Sequence, residues 1–198
     1  MQIITGELDK MGIVVPDEYA PIVKRAIHTT ADFDYAKTLV FSENALAIFA
    51  KLVRDGADIV ADTNMALAGI NKNELAKYGG SARCYMADPD VVEEAQKRGV
   101  TRAYVSMERA AKNGKTTIFA IGNAPTALAC LREMFDSGKY KPDFIIGVPV
   151  GFVNVEAAKE SILETPIPSI VNRGRKGGSG VAVAICNALL YEMRKGNL

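Results

Sequence analysis

The chain has 198 residues, 48% of them hydrophobic and 24% charged, with a formal net charge of +1. This length suits one well-buried core better than two independent domains, and the near-neutral balance argues against a nucleic-acid or membrane-surface partner. Cys84, Cys130 and Cys186 are odd in number, far apart and without a CxxC pair, which argues against a zinc site or disulfide framework and reads as three buried thiols in a reducing cytoplasm.

The first residues, MQIITGELDKMG, lack the basic and apolar regions of a signal peptide. No apolar run approaches the roughly 20 residues that span a bilayer. A helix is expected from near Pro16, carrying His28 toward its end, followed by a strand at 36–41. Ser42 is placed to cap a helix with Leu46, Phe49, Leu52 and Val53 on one face and Gly56 as its stop. A strand at 57–62 leads to Asn71 and Glu74, spaced as a capping box, and then to a strand at 82–87. Pro89 suits a first helical turn, as does Pro125 after a strand at 116–122. Strands at 143–148 and 166–171 flank a helix that Asn154 is placed to cap, with Ala157, Ala158 and Ile162 along it. A last helix over 181–195 ends in Arg194 and Lys195.

The expected strands are continuous apolar runs, as in strands covered on both faces. Alternation with helices predicts an α/β fold over 1–198: a single domain, Rossmann-like in three layers, with a mostly parallel sheet flanked by helices on both faces. Ligands of such sheets bind beyond the carboxyl ends of the strands. The unusual residues gather there: Asp62-Thr63, Gly122-Asn123, Gly147 to Gly151, and Arg173 to Gly180.

Each of these segments admits a structural and a functional reading. His28 is the only histidine; it sits near a helix C-terminus, where the dipole favours positive charge, with Asp32 close in sequence. A cap or surface role fits it, and so does acid–base chemistry. Thr63 caps a helix or donates to a ligand. In IGNAPTALACL the amides from Asn123 to Ala127 suit an anion, although a tight strand–helix turn also explains the glycine and proline. In IIGVPVGFVNVEAAKE, Val148, Val150, Phe152 and Val153 surround a loop shaped by Gly147, Pro149 and Gly151, as an apolar ligand wall would. In NRGRKGGSG, Arg173, Arg175 and Lys176 precede Gly177, Gly178, Ser179 and Gly180 at a helix start. Guanidiniums beside a helix N-terminus suit carboxylate or phosphate groups, and a flexible basic loop is the plainer alternative. The spacing is neither a Walker A loop nor GxGxxG.

In series, RAIHTTADFDYA, GADIVADTNMALAGI, TRA at 101–103, IGNAPTAL, PDFIIGVPVGFVNVEAAKE and GRKGGSGVAVAICNAL resemble the precorrin-8X methylmutase family, from about Arg25 to Leu189. The resemblance implies an isomerase of corrin synthesis that moves a methyl group from C-11 to C-12 of precorrin-8X or cobalt-precorrin-8, giving hydrogenobyrinic or cobyrinic acid. It implies His28 as the catalytic group, protonating or hydrogen-bonding the ring nitrogen beside the migrating methyl. On the matched segments, Arg25, Thr63, Arg102, Asn123, Thr126, Val150, Gly151, Arg173, Arg175, Lys176, Gly177 and Ser179 become candidate contacts to a polycarboxylated tetrapyrrole. A homodimer is implied, without a resident cofactor; any cobalt arrives inside the substrate. The competing readings are a non-catalytic corrinoid carrier, a nucleotide-dependent α/β enzyme, and a methyltransferase of the same pathway.

Overall fold

A computed structural model describes residues 1–198. Six strands form one sheet: β1 (Leu39–Phe41), β2 (Asp58–Ala61), β3 (Ala82–Arg83), β4 (Thr117–Ile121), β5 (Phe144–Gly147) and β6 (Ser169–Asn172). Their spatial order is β1-β6-β5-β4-β2-β3, parallel except for β1, which runs antiparallel to β6. Every residue of β2, β4, β5 and β6 is buried. That is why these segments read as unbroken apolar runs, since helices take both faces.

Successive side chains of a strand point to opposite faces, and the core divides accordingly. Ile59, Ala61, Ile118, Ala120, Phe144, Ile146 and Ile170 pack against α2 (Ala20–Thr30), α4 (Ala45–Arg54), α5 (Asn64–Gly69) and α11 (Ser179–Lys195). Val60, Phe119, Ile121, Ile145 and Val171 pack against α7 (Pro89–Arg98), α8 (Arg102–Lys112), α9 (Pro125–Asp136) and α10 (Val155–Leu163). Three short or terminal helices complete the chain: α1 (Gln2–Lys10), α3 (Tyr35–Thr38) and α6 (Lys72–Ala76). No helix is long and apolar enough to cross a membrane.

Several local expectations are corrected. Residues 36–38 belong to α3, because the Lys37 and Thr38 amides and the Thr38 hydroxyl all return to the Asp34 carbonyl. The 82–87 strand stops after Arg83; beyond it the chain turns (the Asp88 amide to the Tyr85 carbonyl) and buries Tyr85 under the second layer. α2 starts at Ala20 rather than near Pro16, since residues 16–19 form a turn onto the Pro16 carbonyl and Pro21 opens the helix. Ser42 does not cap α4: its hydroxyl accepts the Ser169 amide, and Asn44 holds the cap position. Asn154 occupies its cap position with a left-handed backbone and no side-chain cap. Asn71 caps Glu74, but its own amide donates to Asn187 and the Glu74 carboxylate pairs with Lys77, so the box is half formed. Cys130 and Cys186 are buried, whereas Cys84 is only half-buried; all three thiols are free.

Candidate active site

From β2 the chain steps outward to β3, then returns to place β4 on the other side of β2. Between β2 and β4 lies the switch point where such sheets usually receive ligands. Here the protein fills that crevice itself. Asp62, directly after β2 and fully buried, accepts the Gly122 amide at 2.9 Å and the Asn123 and Ala124 amides at 2.7 Å each. Burial pushes its pKa above the ordinary carboxylate value, and the three amide hydrogen bonds oppose the shift. Two of the amides expected to receive an external anion, those of Asn123 and Ala124, are thus taken by an internal one. Asp62→Asn would aim an NH2 at amide donors, and the expected cost is about 2–3 kcal/mol. A lower urea midpoint at unchanged slope is the readout.

The start of α11 closes the same crevice. Thr63 caps α5 by accepting the Ala66 amide at 3.1 Å, and its hydroxyl lies 2.8 Å from that of Ser179. A Cβ on Gly122 would stand 2.6 Å from the Ser179 Cα, so only glycine permits this approach.

Before α11, the basic segment is a built loop rather than a flexible one. Lys159 of α10, fully buried, donates to the carbonyls of Gly174 at 2.7 Å and Lys176 at 2.8 Å. Asn172 donates to the Lys176 carbonyl at 2.9 Å and accepts the Thr38 hydroxyl at 2.7 Å. The Gly178 amide donates to the Val148 carbonyl, and the Gly151 amide to the Arg175 carbonyl. Its cations are not free charges. Arg173 pairs with Glu160 at 3.2 Å and Arg175 with Glu156 at 2.8 Å; Lys176 reaches Asp32 at 2.5 Å and Asp34 at 2.6 Å. Exposed pairs of this kind contribute about 0–1 kcal/mol. Exchanging one for a ligand carboxylate therefore costs little.

His28 stands in the last turn of α2, exposed beside Thr29, while Ile22, Val23, Ala26 and Ile27 face the core. The helix ends at Ala31 in a left-handed conformation, with the Thr30 hydroxyl folded onto the Ala26 carbonyl. Asp32 does not partner His28: its carboxylate binds Lys176 and the Asp34 amide, which together hold its pKa low. The segment after His28 is thereby tied to the basic loop. Thr29 also lies close to α11, since a Cβ on Gly180 would meet its methyl at 3.6 Å.

The apolar wall is shorter than expected. Val148 and Pro149 are buried, whereas Val150 is 45%, Phe152 83% and Val153 76% exposed. Met65 at the start of α5 is likewise exposed (73%), although its sequence carried no signal for this beyond following Thr63. Arg102, Asn123 and Thr126 line a separate cleft of about 820 Å³ between α7, α8 and the α9 start, where the Thr101 and Thr126 hydroxyls lie 2.8 Å apart. Arg25 lies in neither place. It lines a groove of about 490 Å³ between α2 and α11 with Thr29, Asn71, Asn187 and Tyr191. The candidates thus fall into three neighbourhoods. Lys159 and Asn172, which build the loop, were not among them; a lysine within the apolar stripe Val155, Ala158, Ile162 was the available signal.

Residues 1–192 match the family described as Precorrin-8X methylmutase. The chain belongs to the precorrin-8X methylmutase family. It is 48% identical over 177 residues to the cobalt-precorrin-8 methylmutase of Salmonella typhimurium, covering 88% of this chain and 81% of that protein. It is 35% identical over 191 residues to the precorrin-8X methylmutase of Pseudomonas aeruginosa, covering 96% and 90%. The crystal structure of precorrin-8X methylmutase from Thermus thermophilus superposes with a TM-score of 0.86 at 35% identity, over 96% of this chain and 95% of that one. As a precorrin-8X methylmutase family member the chain is a methyl-shifting isomerase of cobalamin biosynthesis, and a non-catalytic carrier is not favoured.

Proposed function

We propose that this isomerase moves the methyl group of cobalt-precorrin-8 from C-11 to C-12, giving cobyrinic acid, with His28 as the group that protonates or hydrogen-bonds the ring nitrogen beside the migrating carbon. The observation that carries this reading is the meeting, at one end of the sheet, of exposed Val150, Phe152 and Val153 with three cations held in surface pairs, on a loop tied through Lys176 to the segment following His28. A flat apolar macrocycle rimmed by acetates and propionates needs both surfaces. Gly151, Gly177, Ser179 and Thr63 shape the floor between them, and Arg25, Arg102, Asn123 and Thr126 serve peripheral carboxylates. The shift is intramolecular, so it needs neither a methyl donor nor an electron acceptor, and the cobalt belongs to the substrate. We further propose a cytoplasmic homodimer, a common arrangement for such chains.

Cobalt is favoured because the relatives at 48%, 45% and 42% identity are named cobalt-precorrin-8 methylmutase, while those at 35% and 32% are named precorrin-8X methylmutase. Comparing kcat/KM on the cobalt and metal-free forms tests this directly. The cobalt form should be the better substrate; a preference for the metal-free form would reverse the proposal.

Arg173→Gln with Arg175→Gln should raise KM about tenfold to a thousandfold, since each charge-assisted hydrogen bond is worth about 1.5–3 kcal/mol and not all of it is lost. Their surface pairs contribute little to folding, so thermal stability should barely move. A collapsed melting temperature with unchanged KM would make both arginines structural.

A further inference from the structure

We propose that Lys159 is a positioning residue that sets the carboxylate-binding face of the 173–178 loop, drawing two carbonyls inward and so turning the following N–H groups outward. In a trans peptide the N–H points opposite to the C=O. With the Gly174 and Lys176 carbonyls held on the Lys159 ammonium at 2.7 and 2.8 Å, the amides of Arg175 and Gly177 face away from it. Neither amide has a backbone acceptor. Gly174 adopts φ +74°, a left-handed backbone that glycine takes without strain, and outward backbone amides of this kind attract anions.

The charge of Lys159 supports the same role. Its ammonium is fully buried and lies in no salt bridge; its direct partners are neutral carbonyls, and Glu156 acts on it only at longer range, so it places a positive charge beneath the loop. Each neighbouring charge is committed elsewhere. Glu156 and Glu160 on α10 pair with Arg175 and Arg173, Lys176 pairs with Asp32 and Asp34, and Arg132 of α9 binds Asp136 and Glu164. Strands β5 and β6, which lie beneath the loop, carry no ionisable side chain. The counter-charge comes with the substrate. This inference rests on the loop being the carboxylate-binding device of the proposed function.

Burial lowers the Lys159 pKa from 10.5 to about 8. The folded value is the lower one, so deprotonation above about pH 8 relieves a folding cost instead of adding one. The neutral amine keeps its hydrogen bonds in weaker form and loses the charge. Substrate binding should therefore weaken above pH 8 without loss of stability from this group.

The test combines Lys159→Met, Lys159→Arg and trypsin, which cuts after Arg173, Arg175 and Lys176. Lys159→Met should raise KM about tenfold or more with kcat within threefold, and the substrate-free protein should be cut faster within 173–176. Unchanged KM and unchanged cutting would overturn the proposal. Should Lys159→Met fail to fold, the pH profiles decide. KM of the parent should rise severalfold between pH 7 and 9.5 while that of Lys159→Arg stays flat; parallel profiles overturn the proposal. Trypsin needs no corrinoid, so its result stands apart from the functional reading, whose own failure would show as a parent protein without turnover.

Discussion

His28→Ala should lower turnover by about two to four powers of ten, the usual contribution of a positioned general acid, and leave the melting temperature nearly unchanged. The second half follows from the structure of α2. His28 is exposed on the helix face opposite Ile22, Val23, Ala26 and Ile27, and its ring makes no protein hydrogen bond whose loss would cost stability. Surface substitutions of that kind stay within about 0.5 kcal/mol, or roughly 1–2 °C for a chain of this size, and alanine is the better helix former. His28→Gln divides the two chemical roles. If a hydrogen bond to the ring nitrogen suffices, the amide should retain part of the rate with a flat pH profile. If a proton must transfer, Gln and Ala should be equally inactive. Full activity in His28→Ala would remove the histidine from the mechanism.

The second large effect is expected from Gly177→Ala. A Cβ there would lie 2.1 Å from the Val148 carbonyl oxygen and 2.8 Å from that of Pro149. Both are backbone atoms, and Val148 is held by its own amide bond to Ile121 and by its carbonyl to Gly178. The loop must move, at a cost of about 1–3 kcal/mol for overpacking, and with it the cations that Lys159 and Asn172 place. KM should rise at least as much as in the double arginine variant. Gly174→Ala is the control: its φ is +74° but nothing lies within 4 Å of the added Cβ, so only the left-handed backbone penalty of about 1–2 kcal/mol applies. Equal effects at 174 and 177 would mean that backbone conformation, not close packing, sets the loop.

Much of the architecture was legible because burial on both faces leaves continuous apolar runs, and β2, β4 and β5 match their expected segments to within about a residue at each end. The misread segments fail for local reasons. At 82–87 the apolar residues serve a turn that buries Tyr85, and at 36–38 Asp34 gathers the amides into a helical turn instead of a strand. The anion-loving loop was visible as RGRKGGSG, but its neutralisation was not. Lys176 meets Asp32, 144 positions away, and the Gly122–Ala124 amides meet Asp62, some 60 positions away. Partners that distant leave no spacing to read. Lys159 left a mixed trace: it continues the stripe of Val155, Ala158 and Ile162, yet between Glu156 and Glu160 in VEAAKE it also looks like solvated helix surface, and the fold turns it inward.

The central claim is an intramolecular methyl shift, and isotope labelling tests it most directly. An equimolar mixture of cobalt-precorrin-8 labelled with 13C at the C-11 methyl and 15N at the ring nitrogens, and fully unlabelled substrate, is converted by the purified protein, and the product is analysed by NMR and mass spectrometry. The expected result is 13C on the C-12 methyl, with only doubly labelled and unlabelled product molecules. Product carrying one label without the other, or a bound corrinoid whose methyl stays on C-11, would contradict the account.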